Sequence, residues 1–113
     1  MYAGKVPTIN ELILLKYTEK GEVNRVRIIS EASHKWRDIT SLICDDPNKP
    51  SALEQRFQSN PNECLRQTLV ENFINKQPQS YPQNWSGLIE LLVDVDLETL
   101  AKKVEHALLC LDL

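Results

Sequence analysis

Apolar residues recur at three- and four-residue spacing along most of this chain, and cap or breaker residues fence each run. No other feature constrains the fold as much, because a 3.6-residue repeat gathers its apolar members on one side of a helix. Trp36, Ile39, Leu42 and Ile43 make one stripe. Leu65, Leu69 and Phe73 make another, flanked by Val70 and Ile74. Trp85, Leu88, Ile89, Leu92 and Val95 make a third. Leu97, Leu100, Ala101, Val104, Ala107, Leu108 and Leu111 make the last. Helices this short are marginal in water on their own, so they must bury their stripes against one another in a cooperative bundle. The two tryptophans supply the largest single apolar areas for that core.

The boundaries are marked by chemistry. Thr8 to Glu11 has the form of a capping box, in which the threonine hydroxyl and the glutamate carboxylate each satisfy a backbone donor. Ser51 to Glu54 has the same form and predicts a short helix through Leu53 and Phe57. Asn60-Pro61-Asn62-Glu63 combines a capping asparagine with a proline suited to the first turn. Asn84 and Asp96 are the expected caps of the last two helices. Residues 45–50 and 76–83 carry prolines and polar residues and read as loops.

Upstream, Ile9, Leu12 and Ile13 follow the first box, and Gly21 ends or interrupts that segment. Val23, Val26, Ile29 and Ala32 then recur every three residues and predict a helix over 22–33. The β-branched stretch beginning at Val26 also suits a strand, but with no partner strand in view the helix is expected. The expectation is an all-α chain of six helices, with residues 9–17 as either a preceding seventh helix or a split first one.

Length and composition bound the function. The chain has 113 residues, 42% of them apolar, enough for one domain with one core. A net charge of -3 argues against general nucleic-acid binding, which needs clustered positive charge. No run is long and apolar enough for a membrane helix or a signal peptide. Cys44, Cys64 and Cys110 are an odd, dispersed set, which suits free thiols in a reducing, cytoplasmic compartment better than a disulfide framework. They are expected to be buried structural residues, and His34 and His106 to be surface residues. No C-x-x-C or H-x-x-x-H pair exists, so no metal site and no cofactor are expected. Cys64 falls in a first helical turn, where the helix dipole favours a thiolate, yet nothing places a histidine beside it as a base. An enzyme is not expected.

The stripes occur in an order that resembles the death domain family. Trp36-Arg37-Asp38-Ile39 matches the W-x-x-[LI] opening of that family's second helix. Glu63-Cys64-Leu65 through Leu69 matches its fourth, with Phe73 standing where many members have tryptophan. Trp85 through Leu92 matches W-x-x-L-[IV]-x-x-L of the fifth, and Leu100-Ala101-Lys102-Lys103-Val104 the L-A-x-x-[LVI] of the sixth. The resemblance covers roughly residues 22–111; it implies a death domain over 22–113, with 1–21 as an N-terminal extension or a split first helix. It implies a six-helix antiparallel Greek-key bundle without catalysis or cofactor. Its partners would be other death domains, in homotypic association that includes homo-oligomers and serves apoptotic or innate immune signalling. Nucleic acid and membrane are not among the implied partners. Complementary charges would orient such docking. The candidate partner-binding residues are Arg25, Arg27, Lys35, Arg37, Asp38, Asp45, Asp46, Glu54, Glu63 and Arg66. The candidate core is Trp36, Ile39, Leu65, Leu69, Phe73, Trp85, Leu88, Leu92, Leu100 and Val104. A helical scaffold or dimerisation domain of another family, pairing through the long last stripe, is the competing expectation.

Overall fold

A computed structural model describes residues 2–78 and 80–112. The elements are α1 (Ile9–Ile13), β1 (Leu15–Glu19), β2 (Glu22–Val26), α2 (Ile28–Ala32), α3 (Trp36–Ile43), α4 (Lys49–Arg56), α5 (Pro61–Leu69), α6 (Trp85–Asp94) and α7 (Glu98–Leu111). A π-helical turn, Val70–Ile74, prolongs α5, and short 3₁₀ turns stand at Tyr2–Gly4 and Ser33–Lys35.

The chain is mostly helical, in keeping with the expected all-α class, but it also carries a small two-stranded sheet. The helix expected over 22–33 is instead a strand followed by a short helix. Strands β1 and β2 pair antiparallel, with Leu15 opposite Val26 and Glu19 opposite Glu22. The turn is two residues long, and Lys20 (φ 52°) and Gly21 (φ 82°) both lie in the left-handed region that a type I′ hairpin loop requires. Gly21 is therefore a hairpin residue rather than a helix stop. Leu15 and Val26 are buried, whereas Val23 is 64% exposed and belongs to no core stripe. The hairpin lies across the expected 21/22 boundary. Leu12 and Leu15 lie in the same apolar core as the helices.

Side-chain caps mark the starts of α1, α5 and α6. Thr8 Oγ1 accepts from Glu11 N at 3.2 Å, and Glu11 Oε1 accepts from Thr8 N at 3.1 Å. Asn60 Oδ1 accepts from Asn62 N and Glu63 N. Asn84 Oδ1 accepts from Gly87 N at 2.9 Å. Two expected caps fail. Helix α4 begins at Lys49 with Pro50 in its first turn, so Ser51 is already helical and caps nothing. Leu97, with no side-chain cap, precedes α7, while Asp96 takes φ 65° in the turn.

The core is continuous from α1 to α7. Trp36, Ile39, Leu65, Leu69, Phe73, Trp85, Leu88, Leu92, Leu100 and Val104 are all buried within it. Trp85 is fully enclosed, and its backbone N–H donates to Lys5 O at 3.0 Å, tying the N-terminal segment to α6. Two buried hydroxyls join α3 to α5: Thr40 Oγ1 and Thr68 Oγ1 lie 2.9 Å apart, and one donates to the other, which in turn donates to the carbonyl four residues back in its own helix. The hairpin packs on α7. Among the described residues no helix is long and apolar enough to cross a membrane.

Candidate interaction surface

The pleat of the hairpin sorts its side chains. Leu15, Tyr17 and Glu19 share one face, and the Tyr17 ring meets the His106 ring of α7 edge-on at 5.8 Å. Lys16 and Arg25 stand directly opposite each other on the other, solvent face. Like charges paired across strands destabilise a sheet. Neither has an ion-pair partner among the described residues. Arg27 follows on the same side and is exposed, so three basic side chains form a ridge along the hairpin. Arg25 and Arg27 line a hollow with Ser30 and Glu31. Ser30 also borders a second hollow with Ile13, Ile29, Asn62, Glu63 and Arg66. Four expected partner-binding residues, Arg25, Arg27, Glu63 and Arg66, thus lie along one stretch of surface. Glu63 and Arg66 are 3.7 Å apart and partly neutralise each other.

A second stretch is acidic. Asp38, Ser41, Leu42, Asp94, Val95 and Asp96 line a groove between α3 and the α6–α7 turn. Ser41 also borders the adjoining hollow that holds Asp45, Asp46, Pro47 and Pro50. Five aspartates therefore share a continuous face, on which Leu42 is 39% exposed. The only ion pair to any of them among the described residues is Lys35–Asp38, at 4.0 Å. Asp46 Oδ1 also accepts from Asn48 N at 2.8 Å, and Asp94 Oδ2 accepts from the Tyr81 hydroxyl at 2.6 Å. Burial and that hydrogen bond push Tyr81 up to about 12. Asp94 is held in place by it.

Arg37 and Glu54 are committed within the chain. Arg37 lies 4.9 Å over the Trp36 ring and forms an ion pair with Glu54, which clamps α3 to α4. The Arg37 guanidinium holds the Glu54 carboxyl below its ordinary range.

Lys16, Asp94 and Asp96 were not among the expected binding residues. Lys16 falls in the 9–17 segment that was expected to be helical, and Asp96 was expected as a cap. The legible signal for Lys16 was its two-residue alternation with Leu15 and Tyr17.

The cysteines differ from expectation in two places. Cys64 is fully buried; its Sγ donates to Leu53 O, and burial pushes its thiol up, against the helix-dipole expectation. Cys44 and Cys110 are only half-buried, because they sit at the edges of their stripes, and all three thiols are free.

No family model, curated protein or solved structure matches the chain.

Proposed function

We propose that this chain is a non-catalytic, cytoplasmic interaction module that associates homotypically in the manner of a death domain, within apoptotic or innate immune signalling. On this proposal the six helices α2 to α7 form the antiparallel Greek-key bundle of that family, and the hairpin is an addition to it. The buried placement of Trp36, Ile39, Leu65, Leu69, Trp85, Leu88, Leu92, Leu100 and Val104 supports it, since these are the positions that carry the resemblance.

One observation carries the docking mechanism. Lys16 and Arg25 face each other without a counter-charge among the described residues, while five aspartates crowd a separate face around Ser41. Each arrangement is self-repelling in the lone chain and would be relieved by the other on a second copy. An isolated surface ion pair contributes at most about 1 kcal/mol, so several must act together, as in a multivalent assembly. The contact between an acidic and a basic face is head-to-tail and builds larger assemblies rather than closed dimers. Light scattering across a salt series tests this: association should weaken as salt screens the faces, and Arg25→Glu/Arg27→Glu should abolish it.

A second reading has its own observation. Ala3, Ile89, Leu108 and Leu109 line a groove beside α7 in which Leu109 is 60% exposed. Burying that groove would give a salt-insensitive dimer, the behaviour of a helical scaffold.

A further inference from the structure

The inner face of the hairpin brings three metal-ligating side chains together. Glu19 comes from the end of β1, and His106 and Cys110 from α7, one turn apart. His106 Nε2 lies 3.0 Å from Glu19 Oε2 and 3.8 Å from Cys110 Sγ. The three donor atoms all fall within 4.8 Å of one another.

Which nitrogen does the work separates the possible chemistries. In a nucleophile–histidine–carboxylate relay the two imidazole nitrogens face different partners. Here one nitrogen, Nε2, faces both the carboxylate and the sulfur. The carboxylate oxygen and the sulfur thus both lie beside this one nitrogen, close enough for a single ion to reach all three donors. A tetrahedral zinc site with bond lengths near 2.0 Å to N and O and 2.3 Å to S sets its N and O donors about 3.3 Å apart and its N and S donors about 3.6 Å apart. The spacings seen are within a few tenths of an ångström of those values. The ion pair brings the oxygen to this nitrogen, and the i, i+4 spacing on α7 brings the sulfur to the same one.

We propose that Glu19, His106 and Cys110 bind one divalent cation of the zinc class, with the fourth position left to water. The mixed O, N and S donor set suits Zn²⁺ and excludes Mg²⁺ and Ca²⁺, which take oxygen ligands. The Tyr17 ring, packed edge-on against His106, holds the imidazole plane in place. His106 and Glu19 side chains are about half exposed, so an ion can reach them without the fold opening. The cation would add a link between the hairpin and the C-terminal helix to the packing and the Glu19–His106 contact already there. Because the donors come together only in the folded chain, binding would stabilise the fold.

The test uses Zn²⁺ and Co²⁺ added to the reduced 113-residue chain. One equivalent should bind by calorimetry, and Co²⁺ should show thiolate-to-metal charge-transfer absorption. Cys110→Ser, His106→Gln and Glu19→Gln should each weaken binding at least tenfold. Zn²⁺ should raise the melting temperature of the parent and not that of Cys110→Ser. Cys44→Ser and His34→Gln should bind as the parent does. All three ligands are at least partly exposed, so the variants should keep the parent's circular dichroism. Binding that survives both Cys110→Ser and His106→Gln, or no binding to the parent at millimolar Zn²⁺, would overturn the proposal.

Discussion

Replacing Gly87 with alanine should destabilise this protein, although the same change within most helices does the opposite. Gly87 is the third residue of α6, and alanine there favours the helix by about 1 kcal/mol. The surroundings reverse the sign. A Cβ at this position would lie 1.9 Å from Pro82 O and 2.9 Å from Pro82 C. Ordinary contact needs about 3.5 Å, so the backbone carbonyl must retreat by about 1.5 Å. That carbonyl accepts from Asn84 N at 2.9 Å, and Asn84 in turn caps α6. Overpacking of this kind costs about 1–3 kcal/mol, and the strained turn hydrogen bond adds about 1 kcal/mol. Set against the helix gain, the net loss is about 1–3 kcal/mol, or roughly 4–12 °C in melting temperature for a chain of this size. Urea unfolding followed by tryptophan fluorescence, with thermal melts, measures it. Gly4→Ala is the control, since a Cβ there meets nothing within 4 Å and stability should not change. A Gly87→Ala protein as stable as the parent, or more so, would refute the close approach of Pro82 to α6.

Two further outcomes follow from hydrogen-bonded hydroxyls. Thr40→Val and Thr68→Val should each cost about 1–2 kcal/mol, and the double variant at least 0.5 kcal/mol less than their sum, because both remove the same bond between α3 and α5; strict additivity in denaturant titrations would disprove that bond. Tyr2 is pushed up to about 12, chiefly by its hydrogen bond to the Glu11 carboxylate, and Tyr81 reaches about 12 chiefly by burial. The fold favours both phenols protonated, so their contribution to stability is complete below pH 10 and declines as pH rises through about 12. Absorbance titration should show two of the three tyrosines ionising around pH 12, and Tyr2→Phe or Tyr81→Phe should each remove one of them.

The helices α3, α5, α6 and α7 were legible because each carries a strong stripe. Trp36, Leu65, Trp85 and Val104 could be assigned to the core from spacing alone. Asn60 and Asn84 gave true starts because asparagine caps locally, whatever surrounds it. The hairpin was not legible. Val23, Val26, Ile29 and Ala32 fit a helical period by coincidence, while the partner strand, Leu15 to Glu19, carries only one β-branched residue. Lys20-Gly21 is a weaker turn signal than Asn-Gly. An isolated hairpin is only marginally stable, and what holds this one is α7, with Glu19 and His106 in contact although they are 87 positions apart. The same long-range packing hid the Glu19–His106–Cys110 cluster, since only the Cys and His share a local spacing. Within the charged surface, residue type was legible but pairing was not. Arg37 and Glu54 are both exposed-type residues at helical spacings, yet they clamp α3 to α4 instead of facing a partner.

Docking of the basic hairpin ridge onto the aspartate face of another copy is tested most directly by charge exchange. Arg25→Glu/Arg27→Glu and Asp45→Lys/Asp46→Lys proteins should each fail to self-associate in sedimentation velocity at low salt. Mixed in equal amounts, they should form a one-to-one complex, because each keeps one native face and each loses the other. That complex should dissociate as salt is raised. Undiminished association of either variant alone, or no complex in the mixture when the parent chain assembles, would contradict homotypic docking through these faces.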